Sequence, residues 1–429
     1  MSWRFLPYRM AAVVAAIACA ACGSESGGAG AGDAWRADVD TVGDTAIVRT
    51  LAGSVWGDTA TLVAEVSIGT LDGADEYVIG HPRSIAVGPE GVIYVLDVQV
   101  PVVRAYGPDG TYLRDLGRGG GGPGEYESPD GLAVLPDGRV LVRDPPTGRI
   151  TVYGPDGVYL TEWPLSRGFN TDRRFYVDTT GQSYVTALLE RGLMPWEWTF
   201  GLVRYSPDGA IEDTLPAPTW DHEPAVVTAS KENSASRRDV PFTAETVWTF
   251  SPFGYMVGGL STDYRIDLYR HDAAVLRIER EATPVPVKPE EAEERVRRIT
   301  QGLQRQYGGW RWNGPEVPDT KPPFRDLFAS WEGNVWVLVS QEGVPTMTEA
   351  EAREEEERTR RVPIRYWEPP AFDVFAPDGR FLGHVSVPES FRVEPEPIIR
   401  GDHVWAVTRD ELDVASVVRF RIVHPAADS

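Results

Sequence analysis

The 429-residue sequence predicts an all-β protein: a six-bladed β-propeller closed by an N-terminal strand that completes the last blade, with two helical loop insertions. Two observations carry this prediction. The turn motif Tyr-Gly-Pro-Asp-Gly begins at Tyr106 and again 47 residues later at Tyr153, and weaker relatives begin at Tyr205 and Phe375. Between the turns, apolar and polar residues alternate with a period of two, as in strands. A period of about 40–50 residues with four strands is the signature of a β-propeller.

The repeated turn has a physical explanation. Proline presets φ near −65° at the first corner, aspartate can bond its own backbone, and glycine accepts a positive φ without strain. The motif therefore reverses one strand into the next antiparallel strand. It recurs because each four-stranded unit needs a tight outer hairpin.

Six units can be traced along the chain. They cover Pro82–Leu116, Pro129–Trp163, Arg173–Leu215, Glu245–Arg280, Phe324–Val387 and Pro397–Val423. The last unit has only three strands, and Thr61–Gly69 is predicted to supply the fourth, because pairing of the first and last strands removes open sheet edges. Asp44–Gly57 is predicted to add an outer strand. An open stack or two sandwiches remain alternatives.

Two segments interrupt the strand pattern. Lys288–Gly309 predicts a helix, with proline and acids at its start, arginines later and glycine at its end. Thr348–Arg361 predicts a second, highly charged helix that is either solvated or a surface for a partner. Both belong to loop insertions, at about residues 284–320 and 343–368.

The units resemble NHL-type repeats. The first unit carries the pattern in Pro82, Ile85–Val87, Ile93–Val95, Asp97 and Tyr106, followed by the Asp-Gly turn, and the second unit repeats it. The whole chain resembles bacterial exported six-bladed propeller lipoproteins. This resemblance implies a fold and an envelope location, but no reaction, because propellers host unrelated functions.

The N-terminus resembles a bacterial lipoprotein signal. The apolar run Met10–Ala21 is too short to span a bilayer and is followed by Cys22 and a Gly/Ser-rich stretch. The resemblance implies a signal over residues 1–22 with an acylated Cys22, a tether over 23–40 and a propeller over 41–425. It implies an outer-membrane lipoprotein that faces the periplasm or the cell surface. Acylation of Cys19 and plain secretion remain alternatives.

The chain is strongly acidic, with a net charge of −22. Without Arg4 and Arg9 of the signal, 40 basic residues face 64 acidic residues, a net charge of −24. This excess disfavours nucleic acids and anionic headgroups as partners. We therefore expect contact with a membrane only through the lipid anchor, no nucleic acid, and a monomer.

The sequence predicts no catalytic residue, metal site or cofactor. No two of its six histidines lie three to five residues apart, and it has no P-loop and no Gly-x-Ser-x-Gly motif. Propeller lactonases and lyases, which the chain resembles in shape, place metal ligands where the inner strands begin. The residues predicted at those positions here are Arg83, Asp130, Arg174, Trp248, Arg325, Asp326 and Arg400.

These side chains suit hydrogen bonding or anion binding at the mouth of a channel better than a divalent cation. They could instead only satisfy the strand ends. The leading hypothesis is a non-catalytic cell-envelope propeller that binds a protein, peptide or glycan through its loop face. The alternative is a lactonase-like hydrolase or lyase acting at the central channel. Two tryptophan pairs, Trp196 with Trp198 and Trp310 with Trp312, could form stacking platforms or pack an insertion onto the ring.

Overall fold

The structure is a computed structural model that describes residues 34–165, 173–232, 234–270 and 274–424. Cys19, the predicted signal and the acylated Cys22 lie outside the described residues. The tether was predicted to reach residue 40, but the first strand already begins at Arg36 because it pairs with the strand that follows it. None of the helices in the described ranges is long and apolar enough to cross a membrane.

The N-terminal half contains three strands and then three four-stranded antiparallel meanders. The first strands are β1 (Arg36–Val42), β2 (Thr45–Ala52) and β3 (Ala60–Ile68). The first unit comprises β4 (Pro82–Val87), β5 (Ile93–Asp97), β6 (Val102–Tyr106) and β7 (Tyr112–Leu116), and is followed by the short strands β8 (Arg118–Gly119) and β9 (Glu125–Tyr126). The second comprises β10 (Gly131–Val134), β11 (Val140–Asp144), β12 (Arg149–Tyr153) and β13 (Tyr159–Pro164). The third comprises β14 (Phe175–Val177), β15 (Ser183–Glu190), β16 (Thr199–Tyr205) and β17 (Ile211–Pro216).

A hairpin that the sequence did not predict follows, made of β18 (Val226–Lys231) and β19 (Ser234–Asp239). The fourth unit comprises β20 (Thr246–Phe250), β21 (Met256–Leu260), β22 (Arg265–Tyr269) and β23 (Val275–Arg280). The first insertion contains β24 (Val285–Pro286), α1 (Pro289–Tyr307) and β25 (Thr320–Lys321). The fifth unit comprises β26 (Phe324–Ala329), β27 (Val335–Val339), β30 (Ala371–Phe375) and β31 (Phe381–Ser386), with β28 (Val344–Pro345), α2 (Glu349–Thr359) and β29 (Tyr366–Trp367) inserted after β27. The last strands are β32 (Ile398–Arg400), β33 (His403–Arg409) and β34 (Ala415–Val423).

The two ends of the described chain join as predicted. β3 pairs antiparallel with β34, so that Leu62 lies opposite Ile422 and Ile68 opposite Val417. β2 is the predicted added strand, and it lies parallel to β23 on the outer edge of the fourth unit, with β1 beyond it. Backbone groups at these edges are thereby paired within the chain.

The hydrophobic core is divided into clusters that lie between consecutive sheets. Strands of the first and second units share one cluster, and the same holds for each later pair up to the fifth and sixth sets of strands. A further cluster packs Trp405 and Val417 of the last strands against Ile85 and Val95 of the first unit. The sheets therefore contact each other in a cycle, which is the packing of a β-propeller.

The four Asp-Gly turns adopt the predicted geometry. Gly110, Gly157, Gly209 and Gly379 all have φ between 81° and 89°, where a side chain would be strained. In the first of these turns the carboxylate of Asp109 accepts the hydroxyl of Thr111 at 2.6 Å and its backbone N–H at 3.1 Å, and these two hydrogen bonds lower the pKa of Asp109. The positive φ predicted for the glycines and the backbone hydrogen bond predicted for the aspartate are thus present.

The repeated aspartate at the end of the second strand has a structural role. Asp97 accepts the backbone N–H groups of Gly80 at 2.8 Å and His81 at 3.0 Å. Asp144 accepts those of Glu127 at 2.8 Å and Ser128 at 3.0 Å. Both carboxylates are buried, so each fixes the loop that enters its own unit.

Candidate functional site

The innermost strands of the units converge on a cavity of about 710 Å³. Strands β4, β10, β14, β26 and β32 contribute to its wall, together with Phe250 and Pro252 of the fourth unit. Five arginines line it, so we name it the arginine cavity: Arg83, Arg173, Arg174, Arg400 and Arg409. Its acidic residues are Asp326, Glu394 and Glu396, so positive charge exceeds negative charge in a chain that is otherwise strongly acidic.

Arg174 is held by partners on three other units. Its Nη2 donates to both carboxylate oxygens of Asp326, at 2.8 and 2.7 Å, and its Nη1 donates to the carbonyl of Trp248 at 2.8 Å. Its Nε lies 3.5 Å from Glu396. The charge of Arg174 is therefore matched within the wall, and this residue links the third unit to the fourth and fifth.

An irregularity in β4, the first strand of the first unit, sets the direction of the Arg83 side chain. The register of β4 against β5 shifts between Pro82 and Ser84, which leaves Arg83 as the extra residue of a β-bulge. Bulges re-aim side chains and are common beside binding sites. The Nε of Arg83 is buried and has no hydrogen-bond partner among the described residues. Burial and the nearby positive charge of Arg173 lower the pKa of Arg83.

Asp130 lies near this pair of arginines. Its carboxylate is 3.0 Å from Nε of the fully buried Arg143. Burial raises the pKa of Asp130 to about 6, against the smaller opposing effects of Arg143 and Arg173. Asp130 therefore pairs with the wall of its own unit and changes its charge close to neutral pH.

Arg400 lies at the opposite end of the inner strands from Arg83. The sequence predicted it at a strand start, but it is the last residue of β32. Its Nη1 donates to the carbonyl of Gly88 at 3.1 Å, just beyond the end of β4, and its guanidinium lies 4.6 Å from the ring centre of Trp331. β32 has only three residues, so Arg400, although close to the strand start, is already its last residue.

The other two predicted residues, Trp248 and Arg325, do not present their side chains to the arginine cavity. Trp248 contributes its backbone carbonyl to Arg174, whereas its side chain packs in the core between the third and fourth units. Arg325 lines a different cavity and lies 2.9 Å from Glu368. Consecutive residues of a strand point to opposite faces, so Arg325 and Asp326 line different cavities, and a register shift of β26 lies between Phe324 and Asp326.

Several residues of the cavity were missed by sequence reasoning. Arg173 directly precedes a predicted site residue, whereas Glu394, Glu396 and Arg409 come from a loop and a second strand of the last unit. Only the adjacency of Arg173 and Arg174 was a usable sequence signal. Within the described ranges, no group of three or more His, Cys, Asp or Glu residues is arranged to hold a metal ion.

Comparisons with known proteins concern the fold. No protein-family model and no curated protein sequence matches this chain. It is similar to the crystal structure of a DUF4221 family member from Bacteroides vulgatus ATCC 8482, with 9% identity, 86% of this chain and 99% of that chain covered, and a TM-score of 0.50. Virginiamycin B lyase from Staphylococcus aureus has 10% identity, covers 84% of this chain and 100% of its own, and has a TM-score of 0.40. A gluconolactonase from Xanthomonas campestris has 13% identity, coverage of 93% and 99%, and a TM-score of 0.38.

Proposed function

We propose that this protein is an exported six-bladed β-propeller whose arginine cavity binds an anionic peptide or glycan of the cell envelope. The observation that carries the proposal is the pair Arg83 and Arg173. Within the described part of the chain, neither has a carboxylate within ion-pair distance, whereas Arg174 beside them is matched by Asp326. Two neighbouring like charges are relieved by an anionic ligand.

The six-blade count is supported by the sheet order. Five units form their own four-stranded meanders, and β32, β33 and β34 become a sixth when β3 is added. The cyclic order of the core clusters supports the same count. Lipid anchoring through Cys22 is proposed from the N-terminal pattern alone. Labelling of cells with an alkyne-bearing palmitate analogue tests it, and a Cys22→Ala variant that is labelled like the wild type would refute it.

The proposed binding is tested with two anionic probes, a hexaglutamate peptide and trigalacturonate, and with hexalysine as the probe of opposite charge. We expect saturable binding of at least one anionic probe at pH 7, and about tenfold weaker binding by Arg83→Gln/Arg173→Gln. Arg400→Gln is the control at the other end of the cavity, and it is compared with the single variant Arg83→Gln because each removes one positive charge. Equal loss in both variants, or preferential binding of hexalysine, would contradict the proposal.

A second function is favoured by Asp130. A carboxyl group with a pKa of about 6 beside a cavity can donate or accept a proton near neutral pH, as a hydrolase or lyase requires. Screening a panel of lactones and glycosides against the wild type and Asp130→Asn tests this alternative. A turnover that disappears in the variant and follows a pKa near 6 would replace the binding proposal with an enzymatic one.

A further inference from the structure

A second cavity, of about 710 Å³, lies under helix α1, and we name it the α1 cavity. Its volume is in the range of small-molecule sites, about 300–1,000 Å³. Strand β26 separates it from the arginine cavity, because Arg325 lines the α1 cavity while Asp326 lines the other. The sequence assigned no role to this space, which the two insertions and the β18–β19 hairpin create together.

One side of the α1 cavity is apolar. Ile299 and Leu303 of α1 face Phe242, Ile364 and Trp367 across it. Of these, Leu303 is fully buried, whereas the other four are only partly covered by protein. These side chains can accept an aliphatic chain or a ring system, since burial of such a group gains about 25 cal/mol per Å².

Gly302 keeps the cavity open. It lies on the same face of α1 and lines the space, and a Cβ built at this position meets no atom within 4 Å. Glycine in a helix interior costs about 0.5–1 kcal/mol relative to alanine. A helical position that lines the cavity therefore carries a locally unfavourable residue that adds no side chain to the space.

Polar groups at the floor of the cavity lack partners. Ser340 is only 4% exposed, and its buried hydroxyl has no hydrogen-bond partner among the described residues. The Nη2 of Arg325 is also buried and has no hydrogen-bond partner in that part of the chain. A buried donor without a partner costs about 1–3 kcal/mol, so each group would gain from an acceptor in the cavity.

Basic residues outnumber acidic ones in the lining of the cavity, since Arg238, Arg295, Arg298, Lys321 and Arg325 stand against Asp239, Glu245 and Glu368. Arg238, Arg295 and Arg298 line it and donate to backbone carbonyls, those of Arg237, Tyr366 and Val362, rather than to carboxylates. Their charges are therefore available to attract an anion.

The backbone beside the cavity is strained. Phe242, which lines it, has a φ of 61°, in the left-handed region. This conformation costs a residue with a Cβ about 1–2 kcal/mol, and such outliers gather at ligand sites. The ring of Phe242 lies 5.1 Å from the ammonium of Lys321. The strained turn thus places an aromatic face at the edge of the cavity.

We propose that the α1 cavity binds an amphiphilic anion, a molecule with a carboxylate, sulfate or phosphate head and an aliphatic or aromatic body. The head accepts hydrogen bonds from Arg325 Nη2 and Ser340 Oγ, and the body lies against Phe242, Ile299 and Trp367. Arg238, Arg295 and Arg298 attract the anion electrostatically. This site does not depend on the function proposed for the arginine cavity, because the two cavities share no lining residue.

The test uses dodecanoate and dodecylammonium, which have the same chain and opposite charges, in calorimetric titrations of the whole protein. Surface binding to a chain of net charge −22 favours dodecylammonium. We therefore expect the wild type to bind one dodecanoate saturably and with the higher affinity. Gly302→Leu places a bulky side chain at the cavity and should weaken this binding about tenfold, whereas Gly302→Ala is the matched control and should retain it.

Ser340→Ala removes one donor to the head and should weaken dodecanoate binding about fivefold. It should not lower the melting temperature, because no hydrogen bond within the described protein is lost. Arg83→Gln/Arg173→Gln should leave dodecanoate binding unchanged, which separates this site from the arginine cavity. The proposal is overturned if Gly302→Leu, with an unchanged melting temperature, binds dodecanoate like the wild type, or if dodecylammonium binds at the same site with equal affinity.

Discussion

The first two units and the insertion region are stabilised in different ways. In the units, apolar strands pack on their neighbours, and a buried aspartate accepts backbone N–H groups from a loop close to it in sequence. In the insertion region, helix α1 buries carboxylates that pair with cations far away in the sequence. Glu291 lies 2.9 Å from Lys321, and each side chain is only 1% exposed. Glu294, one turn later, lies 3.2 Å from Arg365.

This difference shows how each region depends on the rest of the chain. The aspartates of the units accept backbone N–H groups, which any sequence provides at that position, and the charged partner of Asp97, Arg104, is only seven residues away. The buried ions of α1 need particular charged residues 30 to 71 positions away. A buried charge that loses its partner is penalised much more than an exposed one. The insertion region should therefore be the more sensitive to single substitutions of charged residues.

The largest expected effect comes from Lys321→Met. It leaves Glu291 buried without its ammonium partner, and loss of one member of a buried pair costs about 3–5 kcal/mol. The free energy of unfolding from urea titration measures this loss. In Lys321→Met/Glu291→Leu most of the stability should return, since Glu368, the other partner of Lys321, keeps Arg325. A single variant as stable as the wild type would remove the distinction between the two regions.

Asp144→Ala probes the units in the same way. It removes the acceptor for the backbone N–H groups of Glu127 and Ser128, and we expect a loss of about 3 kcal/mol in the free energy of unfolding. Asp137→Ala in the same unit is the control, because Asp137 pairs with Arg139 at an exposed turn and should contribute less than about 1 kcal/mol. Equal effects in the two variants would mean that the loop is not fixed by Asp144.

Asp130 makes stability depend on pH. Its pKa in the folded state is raised from 3.8 to about 6 by burial, so the folded protein holds this proton more tightly than the unfolded chain. The contribution of Asp130 to stability is then greatest in acid and declines as pH rises from about 4 to 6. From pH 4 to pH 7, the free energy of unfolding of Asp130→Asn should rise by about 2 kcal/mol relative to that of the wild type. Unfolding titrations of both proteins at these pH values measure the shift, and parallel curves would contradict it.

The smallest effect is expected at the glycines. Gly157 has a φ of 81° in its turn, so Gly157→Ala should cost about 1–2 kcal/mol. Gly302→Ala, in the interior of α1, should instead stabilise by about 0.5–1 kcal/mol. Melting temperatures of the two variants, measured together, test the opposite signs. The same sign in both would show that backbone conformation does not control these positions.

Much of the strand order could be predicted from the sequence. The first unit was predicted at Pro82–Leu116 and its strands have those bounds, and the second differs by only one or two residues at its ends. The helix predicted over Lys288–Gly309 is present as Pro289–Tyr307. Periodicity and turn residues are local signals, so they fix such elements without knowledge of the neighbours.

The candidate sites were predicted less well. Arg83, Arg174, Asp326 and Arg400 line one cavity, with Arg400 at the far end of the inner strands, whereas Arg325 lines another. Register shifts within strands lie at two of these residues, Arg83 and Arg325. A bulge depends on how two strands pair, and a residue pattern along one strand does not contain that information.

The sequence by itself determined the repeating strands, their turns and the strand that joins the last sheet. These features arise from residues close to one another, or from an unpaired edge that only one segment could complete. The tertiary structure alone decided which charges are matched, which donors lack partners and where the cavities open. Those properties depend on side chains that meet from distant segments, and their energies are set by burial, which no local pattern encodes.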